Sequence, residues 1–567
     1  MIKIDPYMNV DAGTMAPAEH GECFVLADGG EVDLDLGNYE RYLNVTLTSE
    51  HSITTSKIYD HVIQRERKGD YLGKTVQVIP HLTDAIQEWI QRVASIPVDE
   101  TSEAPDVCVI ELGGTVGDIE NGPFVEALSQ LRRRVGRCDY LHIHVSLIPI
   151  VQGEQKTKPT QQAIRTVRSA GLNPDLIACR CADKLDASTI IKVANHCQVN
   201  PDQVIAVADV ASPYLVPVVL ESQGLIPSMS SILDLQSLDT PRERREQGAR
   251  RWALWQTLTA PPPNHLEAVT IALVGKYTSS LDAYMSLVKA LQHATMAYKR
   301  KLDLVLVDAS HLESPPAKAL SSETAEYESA WRKVRAAQGI LVPGGFGIRG
   351  CEGMIEAAKY ARENKIPFLG ICLGMQMAVV EVARNLCGLS GANSVELDPD
   401  TPHPVIINMP ELDYSKLGGT MRLGERPTHF QRGTCAWSKA HAAYTSNIPQ
   451  ETSDHNGDEL VIRERHRHRY EVGPPYQEIL YRHGLEFVGK DETGKRMDIL
   501  ELHDHPWFVG VQFHPEYQSR VLDPSKIIMG FVAASARCLT IGKDASREVD
   551  LKAIHDLQNY VLDLDDR

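Results

Sequence analysis

Short runs that are apolar on both faces recur along the chain, at residues 107–110, 140–145 and 176–179 and again at 269–275, 304–308, 339–343 and 367–371. Helix-length segments separate them, which is the rhythm of strands buried in a parallel sheet with helices on its faces. The pattern predicts an α/β protein built as two parallel-sheet domains. Between the two series, residues 239–267 open rich in Arg and Glu, carry Trp252, Leu254 and Trp255, and run into Pro261, Pro262 and Pro263. This stretch reads as a linker helix stopped by proline. The resulting division is 1–238, a linker at 239–267, a second domain at 268–545 and a C-terminal tail at 546–567. Polar or Pro-rich patches at 310–328 and 398–404 read as surface loops.

Composition sharpens this picture in three ways. A chain of 567 residues exceeds what one hydrophobic core serves, in keeping with two large domains. With 58 basic and 75 acidic residues the net charge is −17, which disfavours broad nucleic-acid binding and leaves anionic ligands to local basic clusters. No run reaches the roughly 18 apolar residues of a membrane span, and residues 1–6 lack the basic start and apolar core of a secretory signal. A cytoplasmic protein off the membrane is expected. The 11 cysteines include no C-x-x-C, and the nearest pair is Cys179 and Cys181. Neither a zinc site nor a disulfide framework is expected, and most of these thiols read as small buried residues.

One cysteine stands apart. Gly370-Ile371-Cys372-Leu373-Gly374 follows an apolar run and precedes a helical pattern. Glycines flanking a strand-to-helix turn permit the sharp bend that presents a nucleophile, and the helix N-terminus favours its thiolate. Read alone, a buried structural cysteine remains open. Further on, Val511-Gln512-Phe513-His514-Pro515-Glu516 places a histidine and a carboxylate two residues apart after another strand. There the ring can take a thiol proton while the acid orients it. Pro343-Gly344-Gly345-Phe346-Gly347 supplies bare backbone N–H groups suited to an oxyanion.

These three motifs, in this order, resemble the class I glutamine amidotransferases. By that resemblance Cys372 is the nucleophile, His514 the general base and then acid, and Glu516 the support of His514. It further implies an oxyanion site on the N–H groups of Gly345 and Leu373, and glutamine contacts at Gly344, Gln376, Glu396 and Arg469.

The first half resembles CTP synthases in Asp5-Pro6-Tyr7, in residues 33–41, in Gly69-Asp70-Tyr71-Leu72-Gly73, in residues 113–120 and in Lys156-Thr157-Lys158-Pro159-Thr160-Gln161. Arg465-His466-Arg467-His468-Arg469-Tyr470 in the second half joins them. That family aminates UTP to CTP, using ATP to activate the uracil 4-oxygen and ammonia from glutamine to displace the phosphate. Lys156 and Lys158, on a loop held open by Pro159, form a compact cationic patch on an acidic protein, as a triphosphate requires. Two solvated lysines are the plain alternative. The resemblance implies a UTP site at Lys156, Thr157, Lys158, Gln161 and Lys192, and ATP contacts at Asp35, Arg180 and Asp209. It also implies feedback binding of CTP at Asp118, Ile119 and Glu120, and magnesium on Asp35 and Glu111. Magnesium takes one or two carboxylates plus phosphate oxygens, so a sparse pair suffices. Residues 418–424 resemble a mobile loop tied to activation by GTP, and a homotetramer is the family expectation.

The family's Gly-rich phosphate loop precedes the segment that here begins at Lys3, so the first domain reads as N-terminally truncated and P-loop-like. Gly69 to Thr75 is one residue short of a phosphate-loop motif and follows a charged run, so it is not that loop. An absent central strand is expected to leave apolar surface and strand edges uncovered. An incomplete form of an active enzyme is the favoured reading. A regulatory subunit that binds UTP or CTP and assembles with complete synthase stays open, and the UTP-site match argues against a free-standing glutaminase.

Overall fold

The computed structural model describes residues 1–99, 101–260, 266–315, 320–410, 419–445 and 460–537. It divides into two compact units, residues 1–10 with 50–262, and residues 11–49 with 263–567. The helix Arg242–Thr259 forms within the span read as a linker. It belongs to the first unit, where Trp255 is buried and its indole N–H donates to the Tyr214 carbonyl at 3.0 Å. The prolines after it and the tail at 546–567 lie outside the described residues.

In the first unit two sheets of three strands are parallel, as the pattern implied, and a short antiparallel hairpin joins Ile150–Val151 to Glu154–Gln155. One parallel sheet runs Ser52–Thr54, Ile2–Asp5, Ile110–Leu112; the other runs Val204–Ala208, Leu176–Cys181, Ile143–Leu147. Ile2, Ile4 and Ile53 pack on Phe124 and Leu128 in one core, and Ile164, Ile177 and Val193 form a second. Ile143–Leu147, read as a buried strand, is an edge strand. Val145 and Leu147 are 70% and 61% exposed.

The second unit is organised on one nine-stranded sheet, ordered Lys301–Asp308, Ala268–Gly275, Gly339–Val342, Phe368–Ile371, Phe508–Val511, Met497–Leu502, Leu485–Lys490, Arg422–Phe430, Val461–His468. The first five strands are parallel and the remaining pairings antiparallel, so the expected parallel sheet is half of a mixed one. Gly339–Val342, Phe368–Ile371 and Phe508–Val511 are buried at every residue. They lie between a core containing Trp331, Met354 and Phe368 and another containing Leu291, Trp507 and Phe531. Central strands with both faces covered read as continuous apolar runs, which is why Gly339–Val342 and Phe368–Ile371 were legible.

Residues 11–49 join this unit through paired buried ions. The helix Leu34–Leu43 starts at Asp33, whose side chain accepts from the Asp35 N–H. It buries Glu40, which would be costly without partners. Arg465 donates to Glu40 at 2.7 Å, Arg520 at 3.0 Å and the Leu47 N–H at 2.9 Å. Nearby, Arg467 pairs with Glu31 at 2.8 Å, and the Ser286 N–H donates to the Glu22 carboxylate at 2.9 Å. The hydrophobic pattern carries no sign of these pairings.

Candidate active site

Cys372 sits between the strand Phe368–Ile371 and the helix Leu373–Asn385, with φ 52° and ψ −104°. A non-glycine residue held there costs about 1–3 kcal/mol, and surrounding packing must over-determine it. The flanking glycines show how. A Cβ on Gly370 would lie 2.7 Å from the Gly374 carbonyl, and one on Gly374 would lie 2.0 Å from the Val342 oxygen. Only glycine at both places lets strand and helix meet so closely, and the Cys372 N–H is tied to the Val511 carbonyl at 2.7 Å.

The neighbouring strand Phe508–Val511 runs parallel, with Ile371 opposite Val511, so both chains leave the sheet at the same end. This brings His514 and Cys372 into one pocket, where the Cys372 thiol donates to the Arg467 carbonyl at 3.7 Å. His514 Nδ1 meets Glu516 Oε1 at 2.8 Å, and its ring stacks on Tyr517 at 4.9 Å. Burial opposes a charged ring, but the Glu516 carboxylate and the Cys372 side chain together outweigh it. The pKa of His514 is pushed up to about 10. An imidazolium can therefore stand beside the sulfur at neutral pH, the pairing that thiol nucleophiles use.

The loop after Gly339–Val342 closes over this pair. A Cβ on Gly344 would lie 2.8 Å from His514 Cε1, so the bare backbone is what fits. The Cβ position of Gly345 is 3.6 Å from Leu373 Cδ2, which places the two expected oxyanion residues side by side, Leu373 at a helix N-terminus. Gly344, Cys372 and His514 line one pocket. Gln376, Glu396 and Arg469 lie outside that lining. The Gln376 amide donates to the Tyr470 carbonyl and to Gln512, both at 3.2 Å. Glu396 accepts from the Gly347 N–H at 3.1 Å, and burial raises its pKa against that bond and the charges of Lys276 and Arg469. Arg469 is buried, and its carbonyl accepts from the Met409 N–H.

Glu22, Cys23, Arg467 and Tyr517 also line the pocket and were not singled out from the sequence. Glu22 has its pKa raised to about 7, by burial first, against Arg41 and Ser286. The Tyr517 hydroxyl donates to the Cys23 carbonyl at 3.1 Å, so residues 11–49 form one wall. Their distance from Cys372 in sequence hid them. Arg467 lay within a quoted motif, and the clue was its place two residues before Arg469.

The residues of the first unit expected to contact nucleotides lie in several places. Thr157 stands at the N-cap position of the helix Lys158–Ser169, and the buried Gln161 amide donates to its hydroxyl at 3.0 Å. Lys156 pairs with Glu154, Lys158 is exposed, and Lys192 lies near enough to Glu154 to help hold its carboxyl below the usual range, behind the larger effect of Lys156. Arg180 and Asp209 form an ion pair beside Leu176–Cys181 and Val204–Ala208, with side chains 49% and 58% exposed. Asp118, Ile119 and Glu120 are exposed at a short 3₁₀ turn. Glu111 accepts from Lys3 Nζ at 2.9 Å, whereas Asp35 lies on the helix Leu34–Leu43 of the second unit. Each is a partly exposed carboxylate, an oxygen donor of the type magnesium takes. Among the described residues no three His, Cys, Asp or Glu side chains gather as a metal site, and no helix is long and apolar enough to cross a membrane. Gly418, in the segment expected to respond to GTP, lies outside the described residues; after it, Arg422 pairs with Asp498 at 3.2 Å.

Residues 1–235 match the family model for the CTP synthase N-terminus, and residues 279–534 match that for class-I glutamine amidotransferases. A CTP synthase of Neurospora crassa is 57% identical over 538 residues, covering 95% of this chain and 90% of the relative. CTP synthase 1 of Saccharomyces cerevisiae is 55% identical over 540 residues, with 95% and 90% covered. The solved glutaminase domain of Trypanosoma brucei CTPS with bound acivicin is 35% identical, with a TM-score of 0.41, covering 47% of this chain and 94% of that one. With both halves matched and more than half of all positions identical across nearly the whole length, the chain belongs to the CTP synthase family of glutamine-hydrolysing ligases.

Proposed function

We propose that the chain aminates UTP to CTP in an ATP-dependent reaction, with ammonia released from glutamine at Cys372. The juxtaposition of Cys372, His514 and Glu516 beside a glycine loop, in a CTP synthase family chain, carries this reading. Cys372 Sγ attacks the glutamine side-chain carbonyl carbon, and the N–H groups of Gly345 and Leu373 receive the oxyanion. His514 gives its proton to the departing ammonia and then takes one from the water that cleaves the thioester to glutamate. Gln376, Glu396 and Arg469 are proposed to recognise glutamine.

Lys156, Thr157, Lys158, Gln161 and Lys192 are proposed to hold UTP, with cations meeting its phosphates. Arg180 and Asp209 are assigned to ATP, and Asp118, Ile119 and Glu120 to inhibitory CTP. Glu111 would be a magnesium ligand in the first unit, and magnesium when bound neutralises phosphate charge. GTP acting through residues 418–424 and assembly as a homotetramer complete the proposal.

The test is CTP formation by the full-length protein from UTP, ATP and magnesium, with either glutamine or ammonium as nitrogen source. Cys372→Ala is expected to lose glutamine hydrolysis by about 10³-fold or more and to keep ammonium-dependent synthesis. Hydrolysis retained in that variant would overturn the assignment.

A further inference from the structure

The loop that faces the sulfur is held from behind by side chains that no reaction step uses. Lys276, 3% exposed, directs its ammonium to the carbonyl of Phe346 at 3.4 Å and to that of Gly347. Its Nζ also meets Cys351 Sγ at 3.0 Å, and that thiol donates to the Gly347 carbonyl at 3.4 Å. On the same two residues, the Phe346 N–H donates to the Tyr277 hydroxyl at 3.4 Å and the Gly347 N–H to Glu396 at 3.1 Å. Every backbone polar group of Phe346 and Gly347 is thus engaged. Lys276 is itself fixed: its N–H donates to the Tyr284 hydroxyl at 2.9 Å, and its carbonyl accepts from Arg349. The lysine stem passes under the loop, with Cδ 3.4 Å from the Cβ position of Gly345.

A peptide plane carries its C=O and the next N–H on opposite edges, so fixing one edge aims the other. Lys276 and Glu396 hold the two edges of the plane joining Phe346 to Gly347. Tyr277 holds the plane before it, next to the Gly345 N–H. We infer that Lys276 is a positioning residue for the oxyanion site: its buried ammonium locks the loop carbonyls so that the Gly345 N–H faces the reacting carbonyl. The buried cation also adds positive potential beneath the site where negative charge develops. A lysine suits this place because its compact charge carries several donors and can serve two carbonyls at once.

The inference rests on the glutaminase reading, and the experiment separates the two. Lys276→Met in the full-length protein is expected to lower kcat for glutamine hydrolysis by about 10–100-fold, up to the loss seen when one oxyanion donor is removed. KM should stay within about threefold, because an interaction made only in the transition state affects kcat. Alkylation of Cys372 by iodoacetamide, which needs the thiolate but forms no oxyanion, should stay within about twofold of the parent. An unchanged kcat, a rise in KM alone, or equal losses in kcat and alkylation rate would overturn the role. If Lys276→Met does not fold, Lys276→Gln, which keeps an N–H donor, is read in the same way: a lower kcat with KM preserved supports the role, and parental kinetics refute it. Hydrolysis surviving in Cys372→Ala would instead remove the glutaminase reading itself.

Discussion

Two clusters of charge, one in each compact unit, are handled in opposite ways. In the second unit, Glu31, Glu40 and Arg465 are buried, the Arg467 side chain is 10% exposed, and each has a partner from the same unit. In the first, Lys158, Lys192, Arg180 and Asp209 are exposed, and Arg180 and Asp209 pair in solvent. Covalent chemistry on an amide gains from dipoles and ions fixed in a dry site before the substrate arrives. A site for a triphosphate gains from cations that the ligand itself will neutralise. Buried pairs therefore set geometry at a high cost if broken, and exposed cations set affinity at a low cost to stability.

The largest effect is expected where a buried charge loses its partners. Glu40→Ala leaves Arg465 and Arg520 buried and unpaired, and should lower unfolding stability of the second unit by about 3–5 kcal/mol. Urea denaturation followed by tryptophan fluorescence measures it; a loss under about 1 kcal/mol, the range of exposed pairs, would erase the contrast.

Next comes the site itself. The pKa of His514 is raised from 6.5 to about 10, so the stability its charged ring contributes is fully present below pH 6.5 and is lost as pH rises through about 10. Glu516→Gln removes a main source of that rise. The alkaline limb of kcat/KM for glutamine should then move down by about one to three pH units. A pH profile that overlays the parent would show that Glu516 does not tune His514.

In the exposed unit the effects should fall on affinity. Lys156→Ala and Lys158→Ala should each weaken UTP binding by about 1.5–3 kcal/mol, as for hydrogen bonds to charged groups. Glutamine hydrolysis without nucleotide should hold steady. Isothermal titration with unaltered UTP affinity in both variants would sink the assignment. The smallest effect belongs to Asp209→Asn, which breaks the Arg180 pair and should change stability by less than about 1 kcal/mol. A larger loss in a melting curve would mean that this pair is as structural as Glu40.

What the sequence could announce depended on which force shapes each part. Gly339–Val342 and Phe368–Ile371 were visible because strands covered on both faces must be apolar throughout. Val461–His468, built from Arg, Glu and His, was not visible as a strand. Its inward side chains are satisfied by ions and hydrogen bonds, among them Glu464 on the Tyr444 hydroxyl at 2.6 Å, and no apolar alternation results. The edge position of Ile143–Leu147 was missed for the converse reason: Val145 and Leu147 are apolar yet uncovered.

The sequence by itself determined the chemistry of the candidate site. Cys372 at a glycine-flanked turn, His514 two residues before Glu516, and the glycines from Gly344 onward are local patterns, because a sharp backbone turn and a positioned carboxylate require particular residues nearby in the chain. Tertiary structure alone decided that residues 11–49 belong with 263–567 and wall the pocket with Glu22 and Cys23, and that Lys276 lies beneath the glycine loop. Those contacts join residues from about seventy to several hundred positions apart through buried ion pairs and hydrogen bonds. Such bonds leave no periodic trace in a sequence, since a lone Glu or Lys reads as solvated until the fold supplies its partner.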